Sequence, residues 1–120
     1  MVRIENFGPY NRIYLYPIFR AVFETTGLKD NLSYYEVQAL KAYISQYRPI
    51  ADDEVNTFYD EGFARLDDEE AFMTISHLNP EAKQFATELL TAVFNAEQRT
   101  DMDRQRFFEV LQLCALPMPY

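Results

Sequence analysis

A single cysteine, Cys114, excludes an internal disulfide and any cysteine-based zinc site. The one histidine, His77, would have to carry every Ser-His-Asp or Cys-His mechanism, and its place between Ser76 and Leu78 reads as a helix end or a surface position. Glycine is scarce, with three residues and no Asn-Gly or Asp-Gly pair, and no strict polar–apolar alternation runs far enough for a sheet. No apolar run approaches the ~18 to 20 residues of a bilayer span, and the opening residues MVRIENFGPYNR have no apolar signal core. These features predict a cytoplasmic chain with no membrane span. G-x-G-x-x-G, Walker-type and H-E-x-x-H motifs are absent, so no catalytic constellation is visible and a non-enzyme is expected. Bases are few as well: 11 against 19 acids give a net charge of −8 and a pI near 4.5. Such a chain repels a phosphate backbone, which argues against direct nucleic-acid binding.

What is present is apolar surface: 48% of residues are hydrophobic and 16% aromatic, enough for one core, so residues 1–120 read as a single domain. The pattern predicts an all-α, compact bundle of about six short helices. Pro17 in a first turn, then Ile18, Phe19, Val22 and Phe23, and a closing Gly27 with Leu28 beyond it, describe the first helix. Ser33 and Glu36 form a capping box, stapled by Leu32 and Val37, and open a second helix that runs through Tyr47 until Pro49 stops it. Asp52 reads as the N-cap of a third helix with Val55, Phe58, Tyr59, Phe63 and Leu66 on one side, weakened by Gly62. Asp67 and Glu70 repeat the cap spacing, which leaves open whether Asp67 ends that helix and opens a fourth one through Phe72 and Ile75. Asn79 and Pro80 precede a long, alanine-rich and central helix, and Thr100 with Asp103 caps a last one carrying Phe107, Leu111 and Cys114.

The chain also echoes itself. Ala21-Val22-Phe23, a polar turn with Lys29 and Asp30, and a helix from Ser33 correspond to Ala92-Val93-Phe94, a turn with Arg99 to Asp101, and the last helix. This suggests two pseudo-repeated helical hairpins. Leu78 to Pro117, LNPEAKQFATELLTAVFNAEQRTDMDRQRFFEVLQLCALP, resembles the later half of tellurite-resistance TerB-like helical domains, and Pro17 to Tyr47 is similar in layout to the earlier half. The resemblance implies a helical fold and a metal-responsive stress protein with acidic turns. That family usually places Asp-Gly in each turn, whereas this chain has Glu97-Gln98 and Thr26-Gly27. No resident cofactor is expected. A divalent metal would fall to Glu97, Asp101 and Asp103, although an EF-hand loop from Asp101 fails at Arg106 and Gln112.

Charge placement is the most informative feature. Residues 52–70 contain nine acids against Arg65 alone, while the rest of the chain balances ten with ten. Acids recur every seven residues at Asp53, Asp60 and Asp67 and at Glu54, Glu61 and Asp68, which predicts a negative stripe along a helix. Continuously helical, it would space charges at about 3 Å, near the ~3.4 Å of one DNA strand. Three uses follow: an ordinary solvated face, a docking ridge for a protein with a basic surface, or a nucleic-acid mimic that inhibits a basic nucleic-acid-binding protein. Tyr10, Tyr14, Tyr16 and Phe19 cluster around the first helix and either complete the core or form an aromatic contact surface. Exposed, that surface would suit partner docking or a homodimer. The expectation is a binding or regulatory module that contacts its partner through Asp53, Asp60, Glu61, Asp67 and Asp68, with Tyr14 and Tyr16.

Overall fold

Among the described residues six helices account for the regular structure: α1 (Asn11–Thr25), α2 (Tyr34–Ile44), α3 (Asp52–Arg65), α4 (Asp68–Ser76), α5 (Pro80–Phe94) and α6 (Asp101–Leu113). They are seen in a computed structural model that describes residues 11–46 and 49–117, with side chains from 15 onward. Among the described residues there is no strand, and the buried apolar side chains of all six helices form one cluster. No helix among the described residues is long and apolar enough to cross a membrane.

The helix at the centre is α1, which packs against α3, α4, α5 and α6; the alanine-rich α5 packs on α1, α2 and α4. The expected central place of α5 is thus shared with α1, eight of the α5 residues being buried. Leu15, Ile18, Phe19, Ala21 and Val22 are fully buried, and that packing carries the helix through Pro17, which lies in its interior and not in its first turn. At the other end Thr26 N–H bonds Val22 O at 3.0 Å and Leu28 N–H bonds Phe23 O at 3.2 Å around Gly27, whose φ is +100°. That is a Schellman stop, and glycine tolerates its left-handed backbone without a Cβ clash. Leu28 does not close it with a buried contact: its own φ of +55° turns the chain onward and leaves it 58% exposed.

Gly62, read from sequence as a weak point of the third helix, is where α3 comes closest to α1. A Cβ there would meet Tyr16 O at 2.8 Å, Arg20 N at 3.2 Å and Phe19 Cβ at 3.3 Å, so its absence lets α3 lie directly on the α1 backbone. Arg20 then reaches across to the end of α3, where its Nη1 donates to Phe63 O at 3.1 Å and Leu66 O at 2.9 Å. These carbonyls would otherwise lack partners, so the bonds help end α3 at Arg65, with Leu66 extended at φ −132° and ψ 141°.

Caps fix the remaining starts. Ser33 Oγ accepts from Glu36 N–H while Glu36 Oε1 accepts from Ser33 N–H, and Thr100 and Asp103 repeat the arrangement at α6. Asp67 and Asn79 cap α4 and α5. At α3 the N-cap is Ala51, not Asp52, with Glu54 accepting from Ala51 N–H; Asp52 is drawn off to Lys41 Nζ at 3.1 Å. Helix α2 stops at Ile44, ahead of Pro49, as Ser45 N–H bonds Lys41 O; Tyr47 and Arg48 lie outside the described residues.

The two echoing units do not form self-packed hairpins. Helices α1 and α2 lie largely apart, while α5 meets α6 where the Phe94 ring stacks on Phe107 with centres 4.3 Å apart; α1 packs on α5 and α6, and α2 packs on α5. The two units pack on each other, and α1 also packs on α3 and α4. The interlocking brings the α1–α2 turn against the α5–α6 turn.

Candidate partner-binding surface

None of the nine carboxylates of residues 52–70 is buried, and Asp52, Asp53, Asp60, Asp67, Glu69 and Glu70 are exposed. They do not share one stripe. Asp53 and Asp60 lie on α3, but the extended Leu66 breaks the helix, so Asp67 and Asp68 belong to the start of α4. The seven-residue repeat therefore spans two helices, and the continuous 3 Å charge ladder is absent. The side opposite the acids also differs, because Tyr59 is 2% exposed while Phe63 is 51% exposed.

Several of these acids have structural work. Glu61 accepts from the Tyr16 hydroxyl and lies 3.4 Å from Arg65 Nε. Asp67 Oδ1 accepts from Glu70 N–H at 2.8 Å, and Asp68 Oδ1 from Glu69 N–H at 2.9 Å, at the positive end of the α4 dipole. Tyr16 is no surface contact. It is buried between α1 and α3, 8% exposed, with its ring 5.7 Å from Phe58. The side chain of Tyr14 lies outside the described residues, as does Tyr10.

Cations have gone inward. Glu36 is fully buried in α2 and receives Lys29 Nζ at 2.5 Å and Arg99 Nη2 at 2.8 Å, one from each turn. Arg99, with 7% of its side chain exposed, also donates to Phe94 O at 2.7 Å and Val93 O at 3.0 Å, which closes the end of α5. Burial by itself would raise the Glu36 carboxyl, but the bonds from Lys29, Ser33 N–H and Arg99 outweigh it and hold the group below its ordinary value. A second buried acid, Glu24 on α1, takes Arg20 Nη2 at 3.1 Å and Arg106 Nη2 at 2.6 Å. Sequence reading missed both hubs, although a glutamate used in a capping box beside a lysine-bearing turn was a signal for the first.

The residues read as metal ligands lie along the same turns. Glu97 Oε1 accepts from Ser33 Oγ at 3.1 Å across the two units. Asp103 is the capping partner of Thr100, whose backbone N–H is the main reason its carboxyl stays below the ordinary range. The Asp101 side chain is fully exposed, 3.5 Å from Arg104. Among the described residues no three of histidine, cysteine, aspartate or glutamate gather in a metal-binding group. His77 is exposed at the C-cap of α4. Cys114 is buried, and that burial pushes its thiol up to about 12.

Two concavities adjoin the acidic segment. One, of about 230 Å³, lies between Phe23, Tyr59, Phe63, Lys29, Asp30 and Asp60. The other is a groove of about 550 Å³ between α4 and α6, floored by Phe72, Met73 and Leu113 and edged by Asp68, Glu69 and Glu109. No protein-family model, curated protein or solved structure matches the chain.

Proposed function

We propose that this chain is a non-catalytic helical binding module that recognises a protein with a basic surface through the outer faces of α3 and α4. One observation carries the reading: four cations, Lys29, Arg20, Arg99 and Arg106, are taken up by two buried acids, Glu24 and Glu36, while the acids of residues 52–70 remain at the surface. The face a partner meets is thus more negative than a random distribution of the same charges would make it, and such a face accelerates encounter with a cationic partner. Because the α3–α4 break divides the acids, the favoured partner is a folded or helical protein surface, and a strand-like mimic loses the regular charge spacing it would need.

The test must spare Glu61, Asp67 and Asp68, whose side chains hold the fold together locally. Asp60→Asn, Glu69→Gln and Glu70→Gln in one chain remove three exposed charges. Affinity capture from an extract of the source cells at low salt is expected to recover basic proteins with the native chain and to lose them with this variant, at unchanged circular dichroism. Equal capture by both chains would refute the reading.

A further inference from the structure

The groove between α4 and α6 combines two features that the rest of the acidic surface keeps apart. Its apolar floor is open: Met73 is 64% exposed and Leu113 51%, beside a Phe72 that is 6% exposed. Thioether and leucine side chains at this exposure lose contact area to water that a docked apolar surface would restore. Its edges are acidic on both sides, Asp68 and Glu69 on α4 and Glu109 on α6. Arg106, the cation in its lining, is committed to Glu24 at 2.6 Å and to Glu109, with its guanidinium 5.8 Å from the Phe72 ring centre. From Arg106 to Leu113 the α6 wall rises about 10 Å, the length of two turns of a docked helix.

Building on the binding-module reading, we propose that this groove is the docking site for an amphipathic helix of the partner. The helix lays apolar residues at i, i+3 or i+4, and i+7 onto Phe72, Met73 and Leu113. Lysines or arginines on one flank meet Asp68 and Glu69, and on the other flank the second oxygen of Glu109, whose Oε1 holds Arg106. Acidic edges select against helices with acidic flanks, because unlike charge fixes orientation and like charge is penalised.

The experiment titrates the ¹⁵N-labelled chain with three synthetic 18-residue peptides: a leucine–lysine amphipathic helix, the same composition permuted to abolish the apolar face, and the amphipathic helix with glutamate for lysine. The first is expected to saturate and to move amide signals of α4 and α6. The permuted peptide binds at least about tenfold more weakly, a difference of about 1.4 kcal/mol, and the glutamate peptide does not bind. Met73→Lys with Leu113→Lys abolishes binding of the first peptide, since both residues are exposed and their change spares the core. Glu81→Gln with Glu88→Gln, two exposed positions on α5 outside the groove lining, leaves it intact. Equal binding of the amphipathic and permuted lysine peptides, with shifts spread over α3, would overturn the groove and leave the basic-partner reading standing. Failure of every lysine peptide would overturn both. Self-association of the native chain that the Met73 and Leu113 changes abolish would assign the groove to a second copy and overturn the proposal.

Discussion

Glu36 and Arg99 are 63 residues apart in sequence and joined by a 2.8 Å charge-assisted hydrogen bond, with side-chain exposures of 0% and 7%. The bond fastens the first helix–turn–helix unit to the second where their turns cross. Removing the guanidinium leaves Glu36 with Lys29 and Val93 O with Ala96 N–H, but takes from Phe94 O the donor that Arg99 Nε supplies. Arg99→Met is therefore expected to cost about 3 kcal/mol, toward the lower end for breaking a buried ion pair, because one cation remains. Urea unfolding followed by circular dichroism measures it.

Acid should undo the same hub. The folded Glu36 carboxyl titrates below its ordinary value of 4.5, so the unfolded chain takes up the proton first as pH falls. Its contribution is complete above that ordinary value and is lost as pH drops through the lower, folded one. Stability measured from pH 7 to pH 3 is expected to decline below about pH 4.5, and Glu36→Gln, less stable at pH 7, should show a shallower decline in that window.

Gly62→Ala sets two effects against each other. Alanine gains about 1 kcal/mol of helix propensity over glycine, but its methyl would lie 2.8 Å from a backbone oxygen of α1, which no side-chain rotation can relieve. Separating α1 from α3 disturbs the Tyr16, Phe19 and Phe58 packing, and over-packing of this kind costs about 1 to 3 kcal/mol. A net loss of stability in urea is expected; a more stable Gly62→Ala chain would refute the close approach.

These cases separate what the sequence carries from what it does not. Capping boxes at Ser33 and Thr100, the stop at Gly27 and the start at Asn79-Pro80 rest on bonds within a few residues, and each could be read directly. Gly62 looked like a defect because its reason is the backbone of another helix, and Pro17 looked like a helix start because the packing that carries α1 through it is tertiary. The acidic segment was legible as composition, but its geometry depended on Arg20 ending α3 from 43 residues away. Tyr16 had the composition of a contact residue, and only the fold assigns it to the core.

Salt dependence tests how unevenly the paired cations leave the surface charged. Exposed carboxylates on α3 and α4 repel one another through solvent, which ions screen over roughly 10 Å at 0.1 M, whereas the buried pairs at Glu24 and Glu36 are screened far less. Raising NaCl from 20 to about 200 mM is expected to increase the melting temperature of the native chain. The Asp60→Asn, Glu69→Gln, Glu70→Gln variant should respond less, because three of the repelling charges are gone.

Cys114 offers an internal probe of how the bundle opens. Its thiol, pushed to about 12 by burial, supplies almost no thiolate at pH 8 and no surface for a reagent to reach. Labelling with a disulfide reagent should be very slow in buffer and fast in urea. Cys114 is the C-cap of α6, so the opening that exposes it is either fraying of that helix end or separation of the whole bundle. Gly62→Ala distinguishes them, because its clash lies between α1 and α3, far along the chain from α6. If opening is global, each 1.4 kcal/mol lost by that variant accelerates labelling about tenfold. A labelling rate that ignores the Gly62 change would assign the exposure of Cys114 to local fraying of α6.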